Sequence, residues 1–179
     1  MELKISEWKK FKLNEILKRE KIKSISIDKR KFNNGPINVV GNSRINNGII
    51  DKLEINDDKY IHIGNVLSYG AKGGYFFYQK YVWASTDHVH MFVCEKLNEN
   101  IGLFICSIIN KLIDKKGGWS SSLESSILNE NILLPIDENG NPNWKYMEDY
   151  IKSLLERERE RVFWTYSIIN FWETNTRYI

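Results

Sequence analysis

Three polar loops hold the residues with the most specific chemistry. The first is Ser43-Arg44-Ile45-Asn46-Asn47-Gly48. An arginine matches O6 and N7 of guanine bidentately, and an asparagine amide matches N6 and N7 of adenine. One arginine and two asparagines beside glycine therefore suit base edges, although a plain turn in an asparagine-rich chain explains them equally. The second loop runs from Ser68-Tyr69 through Gly70-Ala71-Lys72-Gly73-Gly74 to Tyr75. Its glycines let backbone N–H groups approach a phosphate, and Lys72 supplies charge. The third, Lys115-Lys116-Gly117-Gly118-Trp119-Ser120-Ser121, joins two cations to small hydroxyls and suits contact with a phosphodiester backbone. The candidate nucleic-acid contacts are Ser43, Arg44, Asn46, Asn47, Tyr69, Lys72, Lys115, Lys116, Trp119 and Ser120.

Catalytic patterns are weaker. His88 and His90 stand two apart on an expected strand and so share a face. With His62 or Asp87 they could hold a metal, but no HExxH and no cysteine ligand set accompanies them. They read instead as a polar strand wall, and no metal site is expected. Asp57-Asp58-Lys59 reads as a solvated turn. Asn141-Pro142-Asn143-Trp144 lacks the second proline of an amino-methyltransferase motif. Gly70-Ala71-Lys72-Gly73-Gly74 lacks the Gly-Lys-Ser/Thr of a P-loop, and Ser120 to Ser122 have no nucleophile-elbow context. No enzyme activity is expected.

The frame that carries these loops has 179 residues, 42% hydrophobic and 27% charged, enough for one folded domain with a core. No apolar run is long enough for a membrane span, and Met1 to Leu13 has no apolar signal region. Cys94 and Cys106 are the only cysteines, which fits a reducing cytosol. The net charge is +3, but residues 1–50 carry +7 and residues 51–140 carry −4. One basic face is the inference, against the simpler reading that Lys, Asn and Ile are abundant throughout.

Apolar spacing predicts a short helix from Lys12 to Arg19, with Trp8, Leu13, Ile16 and Leu17 buried. Strands are expected at 37–40, 49–50, 60–63, 75–78, 81–84, 88–93 and 132–135. Residues 101–113 read as a buried helix, and Asn143 as the N-cap of a last helix reaching at least Phe163. That helix carries the stripe Met147, Ile151, Leu154 and Leu155 before the charged run Glu156 to Arg161, with Val162 beyond it. Apolar residues past a charged run need a partner. The five named positions are the expected partner-helix interface.

These pieces, in order, resemble a known family. Trp8-Lys9-Lys10-Phe11-Lys12-Leu13-Asn14-Glu15-Ile16 is similar to the opening of a target-recognition domain from a type I restriction–modification specificity subunit. Asn46-Asn47-Gly48-Ile49, the stretch from Gly70 to Tyr78, and Leu134 to Ile151 agree with it in sequence order. The last stretch is the most specific and resembles type IIB-like variants. The resemblance spans about residues 8–155.

It implies an α/β (α+β) fold: a mixed-sheet recognition domain with a buried helix, followed by a long spacer helix. The expected boundaries are 1–142 for the domain, 143–172 for the helix and 173–179 for a tail. Implied partners are double-stranded DNA, a methyltransferase subunit that binds S-adenosylmethionine, and a restriction translocase subunit. No cofactor is implied on this chain. Family members carry two recognition domains and two spacer helices, whereas this chain has one of each. Two copies pairing through the last helix would read a palindromic bipartite site. Two other readings stay open. A decayed or mimic half-subunit would bind the methyltransferase without reading sequence, and an enzyme would need metal at His88 and His90.

Overall fold

The computed structural model describes residues 5–26, 34–116 and 126–175, with side chains described as far as Tyr166 in the last segment. Three β-layers and two substantial helices build the fold. Strand β1 (Lys9–Lys12) pairs antiparallel with β9 (Asn131–Leu134) as a ribbon. A four-stranded antiparallel sheet has the order β2 (Lys18–Glu20), β8 (Val89–Val93), β5 (Val66–Gly70), β6 (Phe76–Gln79). A smaller sheet sets β3 (Ile37–Val40) between β4 (Ile49–Leu53), antiparallel, and β7 (Trp83–Ser85), parallel. Among the described residues the α-helical elements are the single turn α1 (Leu13–Ile16), α2 (Glu99–Lys115) and α3 (Trp144–Asn175).

The main core lies where the four-stranded sheet, α1, α2 and the first turns of α3 meet, around Leu13, Leu67, Phe76, Phe92, Ile105, Ile109 and Met147. Helix α2 follows directly from its sequence. Asn98 caps it by accepting from the Ile101 amide at 3.0 Å, and Ile101, Phe104, Ile105, Ile109 and Ile113 form its buried stripe. Gly102 brings α2 against β6: a Cβ there would meet the Tyr78 ring at 2.6 Å. Asn143 caps α3 as expected, its Oδ1 accepting from the Tyr146 amide at 2.9 Å.

Several expectations need correction. The helix expected over Lys12–Arg19 is one turn, because β2 pairs with β8 and draws Leu17 into extended backbone. Leu13, Ile16 and Leu17 are buried all the same, while Trp8 is half-buried against Phe104. The strand expected at 60–63 is a 3-10 turn, Asp58–Tyr60, with a single bridge from His62 to Trp83. Its start is fixed by Asp57, which accepts from the Lys59 amide and pairs with the Lys59 ammonium. Strand β5 was not expected. It is central and buried on both faces, so it shows no alternation, and its Ser68 hydroxyl accepts from Gln79 Nε2 at 2.9 Å. Strands β1 and β2 (KKFK and KRE) are basic because they lie on edges, where charge deters further pairing.

Among the described residues, no helix is long and apolar enough to cross a membrane. Helix α3 has 32 residues, which is about 48 Å at about 1.5 Å per residue. It starts inside the domain and leaves it. Met147 is fully buried, Ile151 packs on the core, and Tyr150 meets Phe104 edge-on at 6.0 Å. Leu155 is exposed, and every described side chain beyond it is exposed. The helix start is thus part of the 1–142 domain's core.

Candidate nucleic-acid interface

The first two polar loops come from distant parts of the chain and are tied together, and the end of α2, from which the third departs, joins them. The link between the first and second is dense. The Tyr75 amide donates to the Ser43 carbonyl at 3.2 Å, the Lys72 amide to Asn42 Oδ1 at 2.8 Å, and Arg44 Nε to the Gly73 carbonyl at 2.8 Å. Gly70 permits this approach, because a Cβ there would lie 2.9 Å from Asn42 Cα. The third loop begins at the C-terminal end of α2, where Asp114 Oδ1 accepts from the Tyr75 hydroxyl at 2.5 Å and lies 3.5 Å from Arg44 Nη1. The Arg44 guanidinium also stacks over the Tyr75 ring at 4.7 Å. The bond to Asp114, with burial second, holds the Tyr75 phenol above its usual pKa, and nearby Arg44 partly opposes this.

A fourth segment joins them that sequence reading did not single out. The turn between β7 and β8 donates no base-reading pattern, yet its Asp87 carbonyl accepts from Asn42 Nδ2 at 3.1 Å and its His88 carbonyl from the Ala71 amide at 2.9 Å. His88 has φ of 62° in this turn. It is therefore not a strand residue, and the expected strand pair of histidines is corrected: only His90 lies in β8, buried. His62 sits elsewhere, edge-on to Trp83 at 5.0 Å, with Nε2 3.3 Å from the Ser85 hydroxyl. Among the described residues no three His, Cys, Asp or Glu side chains cluster to hold a metal.

The candidate contacts divide clearly. Arg44 and Lys72 are exposed on the tied loops, whereas Lys115 is exposed beside a separate pocket lined by Lys10, Lys111, Leu112 and Leu133. Among the described residues Lys72 and Lys115 have no ion-pair partner. Asn46 and Asn47 act as braces, with φ of 51° and 53°. Asn46 Nδ2 donates to the Ile49 carbonyl at 3.0 Å, and Asn47 Nδ2 to the Tyr78 carbonyl at 3.0 Å. Each amide thus spends donor capacity inside the loop while its side chain stays exposed. The Ser43 hydroxyl is likewise turned inward, donating to the Ile45 carbonyl at 3.1 Å. Tyr69 is corrected to a core residue: it is 3% exposed and stacks on Phe76 at 4.5 Å. Lys116 is neutralised by Glu130 at 2.5 Å. Trp119 and Ser120 lie outside the described residues. In the partner-helix set Met147 is corrected to the domain core and Ile151 packs beside it, because α3 roots itself there. Leu154 is half-buried, and Leu155 and Val162 are exposed.

Comparison with known proteins bears on the fold. The family model for the type I restriction modification DNA specificity domain matches residues 5–162. The HsdS subunit from Thermoanaerobacter tengcongensis shares the fold at a TM-score of 0.55 and 9% identity over 88% of this chain and 39% of that one. The type I restriction-modification system S subunit from M. genitalium gives 0.55 and 17% over 87% and 41%. A structure described as underlying complex assembly and conformational transition of the type I R-M system gives 0.57 and 10% over 84% and 39%. The chain thus spans about two fifths of the length of these solved structures. No curated protein matches it. The mixed α/β fold and the match over most of its length establish that the chain belongs to the type I restriction modification DNA specificity domain family.

Proposed function

We propose that the chain reads one half of a bipartite duplex-DNA target for a restriction–modification system. The observation that carries this reading is the convergence of Arg44 and Lys72 on two loops tied together through Gly73 and Asn42 and to the end of α2 through Asp114, with Lys115 a further exposed cation on that helix end. Lys72 and Lys115 supply phosphate contacts that set register, and Arg44 supplies a planar donor set for a guanine edge. Helix α3 docks a DNA methyltransferase subunit, which carries S-adenosylmethionine and the chemistry; this chain performs no catalytic step. A restriction subunit completes the assembly in the bacterial cytoplasm. Two copies pair through the exposed part of α3, around Leu155 and Val162, so that two-fold protein symmetry matches a palindromic site.

The test is selection from a random duplex pool, with and without a cognate methyltransferase. Enrichment of a bipartite palindrome supports the paired reader. A single half-motif means that another recognition domain completes the site. A second reading is favoured by Asp87 and Asp114, whose exposed side chains share the same end: the chain then occupies the methyltransferase without reading sequence. Binding to the methyltransferase with no sequence enrichment supports that alternative and overturns the first.

A further inference from the structure

Beside the converged loops lies a cleft of about 590 Å³ lined by Arg19, Glu20, Lys21, Ser24, His88 and His90, among others. We propose that this cleft is an anchoring site for a DNA backbone phosphate, with Arg19 as its principal ligand and His90 as the residue that positions Arg19. The inference rests on the duplex-reading function proposed above and adds a site that base-reading chemistry does not require.

Four observations converge on it. Arg19 Nη2 lies 2.6 Å from His90 Nδ1. The same Nη2 lies 3.3 Å from Nε2, and because a guanidinium only donates, the imidazole is the acceptor. His90 is buried in β8, next to β2, so an exposed arginine is held at a fixed place without its charge being neutralised. Lys21 adds a second exposed cation, and neither Arg19 nor Lys21 has a carboxylate partner among the described residues. Glu20, the acidic residue of the lining, is paired with Lys18 at 2.6 Å, which offsets its charge. His88 forms the wall shared with the interface. Its backbone, in the left-handed region at φ 62°, bonds the Gly70–Gly74 loop through Ala71. A non-glycine residue held there carries strain, which concentrates at functional sites. A fork-shaped, fixed, un-neutralised guanidinium is the geometry that grips phosphate oxygens.

Phosphate contacts set affinity and its salt dependence, not sequence preference. The experiment titrates a random-sequence duplex and the selected target against the full chain over a range of salt. Arg19→Gln and Lys21→Gln are each expected to weaken both duplexes alike and to lower the slope of log K against log salt by about one. His90→Phe, which fills the ring's place without an acceptor, is expected to weaken binding as Arg19→Gln does. The double variant should lose nothing more, which a merely structural role for His90 would not produce. Thermal melting of each variant confirms that the fold is kept. Inorganic phosphate that competes with duplex in the unchanged protein, and not in Arg19→Gln, further supports the site. Duplex binding whose slope is untouched by Arg19→Gln and Lys21→Gln overturns the cleft and leaves the reader intact. Absence of any duplex binding by the unchanged protein overturns both.

Discussion

Arg44 and Asp114 come from opposite halves of the chain, yet Nη1 and Oδ1 lie 3.5 Å apart, and the same carboxylate accepts from Tyr75. The pair is half-exposed, so as an ion pair it adds little stability. Its consequence is orientation: it limits where the guanidinium can point. Arg44→Ala should therefore relax preference at one base position and cost about 1–3 kcal/mol on the selected duplex. Competition binding against duplexes altered one position at a time checks this. Equal weakening on every duplex would mean that Arg44 touches phosphate only.

Asp114→Asn separates charge from geometry. The amide still accepts from Tyr75 but no longer repels phosphate or pairs fully with Arg44. Affinity for random duplex should rise while discrimination between target and random sequence falls. A fluorescence titration of both duplexes gives the ratio. Unchanged discrimination would show that the carboxylate plays no part in aiming Arg44.

Gly102 tests how α2 is seated. Alanine gains about 1 kcal/mol of helix propensity. Against that, the new Cβ would stand 2.6 Å from Tyr78 Cδ2, 3.0 Å from its Cγ and 3.2 Å from its Cβ. These atoms are at the base of the side chain and cannot swing away, so overpacking of about 1–3 kcal/mol should win. Urea unfolding of Gly102→Ala should show net destabilisation. In a Tyr78→Ala background the same change should be less destabilising, because the two nearest contacts go and only the 3.2 Å approach to Cβ remains. A stabilising single variant would mean that the helix shifts freely on β6.

His62 makes stability pH-dependent. Burial lowers its pKa below the usual 6.5, with the Lys23 backbone acting in the opposite sense. The unfolded chain therefore takes up a proton near pH 6.5 that the folded chain refuses, and stability falls as the solution becomes more acidic than this. The contribution is fully present above that pH. One such group changes stability by at most about 1.4 kcal/mol per pH unit. Urea midpoints from about pH 8 to about pH 5 should decline, and His62→Gln should flatten the decline. An equal slope in the variant would assign the effect to other groups.

The legible parts of the fold were those with a period or a cap. The stripe of α2, the Asn143 cap and the bounds of β3 follow from residue spacing alone, and β8 and β9 lie within one residue of their expected bounds. What spacing could not show was partnership. KKFK and KRE became strands because β9 and β8 lay beside them, and β5 lost its alternation because both of its faces are covered. At the tied loops, composition points to the exposed Arg44 and Lys72. It misread Tyr69, whose glycine neighbours suggested a loop while its ring sits on Phe76. Asn46 and Asn47 also brace their own loop, through bonds to Ile49 and Tyr78 that spacing does not reveal. Arg19 escaped notice because its partner, His90, is 71 residues away.

The last prediction concerns the far half of α3. Leu155, Val162 and Tyr166 recur at spacings of seven and four and so lie along one face. They are 41%, 62% and 67% exposed, and Phe163 and Trp164 beside them are no better covered. Burying such a side chain is worth about 1.5–3 kcal/mol, so a second copy laid along this face gains several such terms. The proximal turns are already held by Met147 and Ile151, which means that the distal face can be altered without disturbing the domain. Val162→Asp places a charge in the contact, where it costs far more than an exposed one. Sedimentation should show a concentration-dependent dimer for the unchanged chain, a monomer for Val162→Asp, and the same melting of the domain in both. A chain that stays monomeric at every concentration would remove the two-copy arrangement and leave α3 to the methyltransferase alone.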